Sequence, residues 1–241
     1  MKLIEAVDYG ELSRVAAGIV VEQVRTRPDS LLVLPTGNTP AGMFRELIAA
    51  AQRGEADFSR ARFAMLDEYA GIARNDGRRL YHWICKELFD RLCVRPGAVI
   101  AFDPEADPDC EARFVEQRIA RQGGIDLAVL GLGPNGHIGM NEPGSDADSR
   151  TRLVTLTPAT IRSNAAYWGS EARVPKRGLT LGLGTLAEAR SLVVVVAGGG
   201  KAAILERVLN AAPSADLPAT ILRSHPASTV IADRAALGLR A

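Results

Sequence analysis

Few features of this chain single out a special compartment or partner. It has three cysteines, Cys85, Cys93 and Cys110, and their spacing suits neither a metal site nor a redox pair. Cys85 and Cys93 fall on an apolar helical pattern and read as reduced core residues. No apolar run approaches the ~18 residues of a membrane span. The start, Met1-Lys2-Leu3-Ile4-Glu5, lacks the long apolar region of a secretion signal. A cytoplasmic location is therefore expected. The net charge is +1, so the chain carries no electrostatic footprint for nucleic acid or an anionic membrane. Any anion must be met by a local site. The Gly-x-Ser-x-Gly elbow of a serine hydrolase is missing, as are a Walker ending and a dinucleotide fingerprint. The histidines, His82, His137 and His225, do not stand at ligand spacing, so no metal is expected. No internal repeat and no low-complexity segment is found.

What is present reads as a folded enzyme-sized chain. At 241 residues, 47% hydrophobic and 24% charged, a single soluble domain over 1–241 is the expectation. Short apolar runs read as strands at 31–34, 62–66, 99–102, 125–130, 153–156, 178–183, 192–197 and 229–232. Between them lie helical patterns at about 8–25, 40–48, 79–91, 107–121, a helix opened by Thr157-Pro158, a short one at 184–186, and one from Lys201 to about 209. In the 107–121 helix, Cys110, Phe114 and Ile119 are expected to face inward. The alternation predicts an α/β fold: a three-layer αβα sandwich with a mostly parallel, Rossmann-like sheet. In such sheets ligands bind beyond the carboxyl ends of the strands.

The polar motifs all follow strands, so they are candidates for one crevice. Pro35-Thr36-Gly37-Asn38-Thr39-Pro40 has the strand, Thr-Gly-x-Thr and helix start of a phosphate cradle, where N–H groups meet the positive helix end. A plain strand–helix connection capped by Thr39 is the alternative. Gly198-Gly199-Gly200-Lys201 can place an ammonium over the same crevice, or simply expose a surface lysine. Asp67, at a strand end, suits a general base if desolvated, or an N-cap if not. Glu68 is expected to point the other way, toward structure. Residues 131–144 combine glycines with Asn135, His137 and Glu142. An imidazole there can donate and accept protons, with the carboxylate orienting it.

With these motifs assembled, the chain resembles the glucosamine-6-phosphate deaminase (isomerase) family, related in fold to the 6-phosphogluconolactonases. The likeness runs over about 8–235, with the motifs in the same order. Leu34-Pro35-Thr36-Gly37-Asn38-Thr39-Pro40 matches the family's phosphate loop, and Leu66-Asp67-Glu68-Tyr69 the segment of the general base. Gly131 to Pro143 matches the catalytic glycine loop, residues 174–186 another signature, and Lys201 the phosphate-binding lysine. Lactonases usually carry Asp-Glu-Arg where this chain has Asp67-Glu68-Tyr69, and they lack Asn141-Glu142-Pro143. The resemblance implies a reaction without metal or cofactor: isomerisation of an amino-sugar phosphate coupled to loss of ammonia. It assigns ring opening to His137, supported by Glu142, and the C2-to-C1 proton transfer to Asp67. Asn135 orients or polarises. Thr36, Gly37, Asn38, Thr39, Gly136 and Lys201 bind substrate and phosphate. A small-molecule sugar phosphate is the partner, and a homo-oligomer is allowed.

Two departures bear on the substrate and on regulation. Ala166 stands where the family places a phosphate-gripping arginine, for which Arg162 or Arg173 are the candidate replacements. Val154 stands where an activator site needs a lysine, so activation by an amino-sugar phosphate is not expected. Galactosamine 6-phosphate is an alternative substrate. Lactone hydrolysis and non-catalytic sugar-phosphate binding are the alternative functions.

Overall fold

The computed structural model describes residues 1–239. In chain order, β1 (Lys2–Ala6) precedes α1 (Tyr9–Thr26), and β2 (Leu31–Leu34) precedes α2 (Ala41–Gln52). Then follow β3 (Arg62–Met65), β4 (Asp67–Tyr69), α3 (Leu80–Ile84), β5 (Val99–Ile100) and α4 (Pro108–Arg121). The second half runs β6 (Leu127–Gly131), β7 (Arg152–Thr155), α5 (Pro158–Trp168), β8 (Arg177–Thr180), α6 (Leu183–Ala187), β9 (Ser191–Val196), α7 (Ala202–Asn210), α8 (Ile221–Ser224) and β10 (Ser228–Asp233).

Seven strands form a parallel sheet in the order β1-β10-β9-β6-β2-β3-β5, with helices flanking it. Every residue of β2 is buried, as an apolar strand covered on both faces must be. From β2 the chain builds outward to β3 and β5, whereas from β6 it builds the other way to β9 and β10. The order therefore reverses between β2 and β6, which pair at Leu32 and Leu127. A crevice opens at such a reversal, because the connections leave the two neighbouring strand ends in opposite directions.

A second, antiparallel sheet, β4-β8-β7, sits beside it. Asp67 pairs with Thr180 and Leu153 with Leu179. A satellite cluster of Tyr69, Met140, Leu156, Trp168 and Val174 covers this sheet, with Tyr69 and Trp168 edge to face at 5.0 Å. The main core is aliphatic, with Phe44, Phe63 and Phe102 fully buried. Among the described residues, no helix is long and apolar enough to cross a membrane.

Four expectations need correction. β1 and the separate short strand β4 were not anticipated: β4 follows β3 after Leu66 alone, so the two read as one run. The helix expected over 79–91 is α3 continued by a π-helical turn, Cys85–Phe89. Cys93 is not a core residue: it lies exposed beyond that turn at φ +53°, while Cys85 is half-buried. On α4 the inward stripe is Glu111, Ala112, Val115 and Ile119. Cys110 and Phe114 lie outside that stripe and are exposed, and the Arg118 guanidinium covers the Phe114 ring at 5.7 Å.

Candidate active site

A cleft of about 630 Å³ opens at the strand reversal. Its walls include loop 35–40 after β2, Asp67 and Tyr69 of β4, His137 of the glycine loop, the cleft-facing side of α5, and Lys201. Thr36, Gly37, Asn38 and Thr39 all line it, as expected from their place between a strand and a helix start. Gly37 has φ +102°, a conformation that glycine adopts without a Cβ penalty.

Asp67 and Glu68 are consecutive strand residues, so their side chains leave opposite faces. Asp67 lines the cleft and is 8% exposed. Burial, and then the neighbouring Glu68 carboxylate, push its pKa up to about 7. Glu68 is buried on the other side and ties down the start of α3. It accepts from Leu80 N (3.0 Å), Tyr81 N (3.1 Å) and Arg79 Nε (3.2 Å). Glu68 is thus held by fixed donors, and Asp67 is left able to change charge near neutrality.

The glycine loop holds His137 from beneath. Gly133 N donates to His137 O at 3.0 Å, and His137 N donates to Asn135 Oδ1 at 3.2 Å. A Cβ on Gly133 would stand 2.3 Å from His137 Nε2, so only glycine leaves room for this ring. His137 Nδ1 is buried 3.5 Å from Glu142 Oε2, an ion-pair distance rather than a formed hydrogen bond. That arrangement leaves Nε2 for the cleft. Asn135 Nδ2 donates to the same Glu142 oxygen at 2.8 Å. The other oxygen accepts from the Thr160 hydroxyl, from Thr157 Oγ1 at 3.1 Å and from Thr157 N at 3.3 Å. Burial opposes ionisation of Glu142, but His137, Thr160 and Asn135 outweigh it and hold its pKa down at about 2. Glu142 is thus a permanent anion behind the imidazole.

Lys201 follows Gly198, whose N–H donates to both Asp233 carboxylate oxygens at 3.0 Å. Its Nζ donates to Leu132 O at 2.7 Å and lines the cleft, and burial pulls its pKa down. It is the single Lys or Arg side chain among the described cleft-lining residues. Ala166 lines the cleft, whereas Arg162 and Arg173 are exposed and do not.

Of the site residues expected from sequence, Asp67, His137, Lys201 and residues 36–39 share the cleft wall. Asn135 and Glu142 stand behind His137. Gly136 directly precedes His137 in the glycine loop. It lies outside the lining, at φ +86°, where a Cβ would meet Leu217 Cδ1 at 2.2 Å. Sequence reading missed Thr160, Ser163, Asn164 and Tyr167, which line the cleft from α5. Their spacing of three, four and seven residues was the available signal for one helix face. Among the described residues, no group of three or more His, Cys, Asp or Glu side chains gathers as a metal site.

A family profile described as "Glucosamine-6-phosphate isomerases/6-phosphogluconolactonase" matches residues 10–231. The chain belongs to this family. Within it, the chain is 37% identical over 240 residues to a glucosamine-6-phosphate deaminase of Thermoanaerobacter pseudethanolicus, covering 99% of this chain and 95% of the relative. It is 38% identical over 238 residues to glucosamine-6-phosphate deaminase 2 of Bacillus subtilis, covering 97% and 95%. A solved structure described as a monomeric glucosamine-6-phosphate deaminase superposes with a TM-score of 0.96 at 36% identity, covering all of both chains. A 6-phosphogluconolactonase from Plasmodium vivax reaches 0.76 at 16% identity, covering 96% and 90%, a likeness of fold alone.

Proposed function

We propose that this family member is a glucosamine-6-phosphate deaminase, turning glucosamine 6-phosphate and water into fructose 6-phosphate and ammonia. The observation that carries the reading is the pairing, in one cleft, of a carboxyl group poised near pH 7 with an imidazole backed by a fixed anion. Lys201 and loop 36–39 hold the phosphate. His137 Nε2 moves the proton between the ring oxygen and the C1 hydroxyl as the sugar ring opens. The Glu142 anion stabilises the imidazolium formed on the way.

Asp67 then takes the proton from C2, and the substrate's ammonium group gives a proton to O1, leaving an enolamine with a C1–C2 double bond. Asp67 returns the C2 proton to C1, and the electron pair shifts to make a C2 imine. Water adds at C2, and the C–N bond breaks to release ammonia and the ketose. A base that must take a proton and give it back works best with a pKa near the working pH, and burial gives Asp67 that value. Glucosamine 6-phosphate is favoured over its galactosamine isomer because the deaminases that this chain resembles carry that name. A cytoplasmic location goes with a substrate whose phosphate charge keeps it from crossing membranes.

One assay separates this from its rivals. The purified chain is given glucosamine 6-phosphate, and ammonia and fructose 6-phosphate are measured. Equal amounts of both products are expected. No product from either amino-sugar isomer sinks the proposal, and 6-phosphogluconolactone hydrolysis above background then moves the chain to the lactonases. Sugar-phosphate binding without turnover of either substrate makes it a binding protein.

A further inference from the structure

The phosphate loop is held from outside the cleft by a residue far away in sequence. Tyr9, the first residue of α1, reaches behind loop 36–39. Its hydroxyl accepts from Gly42 N at 2.8 Å and shares its proton between Thr39 O at 3.1 Å and Asn38 O at 3.2 Å. The first N–H groups of a helix lack partners in the helix itself, and Pro40 at the α2 N-cap offers no side-chain bond. The phenol takes over the role of a cap and at the same time pins two loop carbonyls.

The fit is close on every side. Ser13 Oγ donates to Tyr9 O at 2.7 Å. A Cβ on Gly42 would stand 2.1 Å from Ser13 Oγ and 2.9 Å from the Tyr9 hydroxyl, so a glycine is needed for α1 to approach the loop. Turning the Asn38 and Thr39 carbonyls back toward α1 fixes the peptide planes of the loop. The Asn38 carbonyl shares its peptide plane with the Thr39 N–H, which is thereby turned away from α1, in a loop whose residues 36–39 line the cleft.

We propose that Tyr9 is a positioning residue for phosphate binding, its phenol setting the shape of loop 36–39 without touching substrate. This rests on the reading that loop 36–39 and Lys201 hold the substrate phosphate. A residue that acts on phosphate contacts made equally in the ground and transition states moves KM and leaves kcat alone.

The test compares wild type, Tyr9→Phe and Lys201→Met by deaminase kinetics, by calorimetric binding of fructose 6-phosphate and by thermal melting. Tyr9→Phe is expected to raise KM and the fructose 6-phosphate Kd by about three- to tenfold, the loss of one half-buried hydrogen-bonding hydroxyl. Its kcat and melting curve stay near wild type. Unchanged KM and Kd for Tyr9→Phe, with both raised by Lys201→Met, overturn the Tyr9 proposal alone. If Lys201→Met also leaves both unchanged, or wild type binds no fructose 6-phosphate, the phosphate reading itself fails and takes the proposal with it. A lower kcat and melting temperature at unchanged Kd make Tyr9 merely structural and also overturn it.

Discussion

Thr160 donates its hydroxyl to the Glu142 oxygen that points away from His137. The first turn of α5, which helps to wall the cleft, is thereby joined to the group behind the imidazole. Glu142→Gln removes the anion, and kcat is expected to fall by about 10²-fold, the low end of what a positioned acid–base group contributes. Thr160→Val removes one donor to the carboxylate and lowers kcat less, by about tenfold, with Thr160→Ser restoring it. Stopped assays at saturating substrate check the order of the three variants.

Gly133 lies against the face of the same histidine. A methyl group placed 2.3 Å from Nε2 must displace the ring. Gly133→Ala is expected to lower kcat by about 10²-fold, at a stability cost of about 1–3 kcal/mol for overpacking. Circular dichroism melting together with the deaminase assay checks both effects.

Asp67 makes stability and activity oppose each other. Its folded pKa of about 7 lies above the ordinary aspartate value of 3.8. The folded state therefore binds the proton more tightly than the unfolded state does, and stability is lost as pH rises from about 4 toward 7. Asp67→Asn removes that charge. The variant is expected to melt higher than wild type, by on the order of 5 °C at pH 8 and by less at pH 5. In wild type, kcat/KM rises with pH through about 7 as the carboxylate forms. Melting curves at the two pH values and a pH–rate profile test the pair of statements.

With Lys201 the one Lys or Arg among the described cleft-lining residues, phosphate binding is expected to depend heavily on it. Lys201→Met is expected to raise KM by about 10- to 100-fold, the scale of a lost charge-assisted hydrogen bond. Ala166 also lines the cleft. Ala166→Arg is expected to lower KM by about threefold, by adding a forked phosphate donor. Steady-state kinetics with glucosamine 6-phosphate checks both directions.

The layered fold was legible because its strands are apolar runs such as Leu31–Leu34, and a run buried on both faces has few other ways to exist. That Asp67, His137 and Lys201 share one cleft was legible as well, since each lies in the segment that leaves the end of β3, β6 or β9. Phase was harder to read than content. Phe114 and Cys110 are apolar residues of an amphipathic helix, but its buried stripe runs through Glu111 and Val115 instead. The small sheet was hidden because β4 is three residues long and its partner β8 lies more than a hundred residues away. The Tyr9 contact with Thr39 spans 30 residues, and no local pattern encodes it. The close approach of Gly136 to Leu217 was likewise out of reach, because the two lie far apart in sequence.

The central claim is that Asp67 carries the proton from C2 to C1, and ammonia release by Asp67→Asn at saturating glucosamine 6-phosphate tests it most directly. An amide cannot take up that proton, so kcat is expected to fall by at least about 10³-fold while fructose 6-phosphate still binds with a Kd near that of wild type. Ammonia release at the wild-type rate would contradict the assignment.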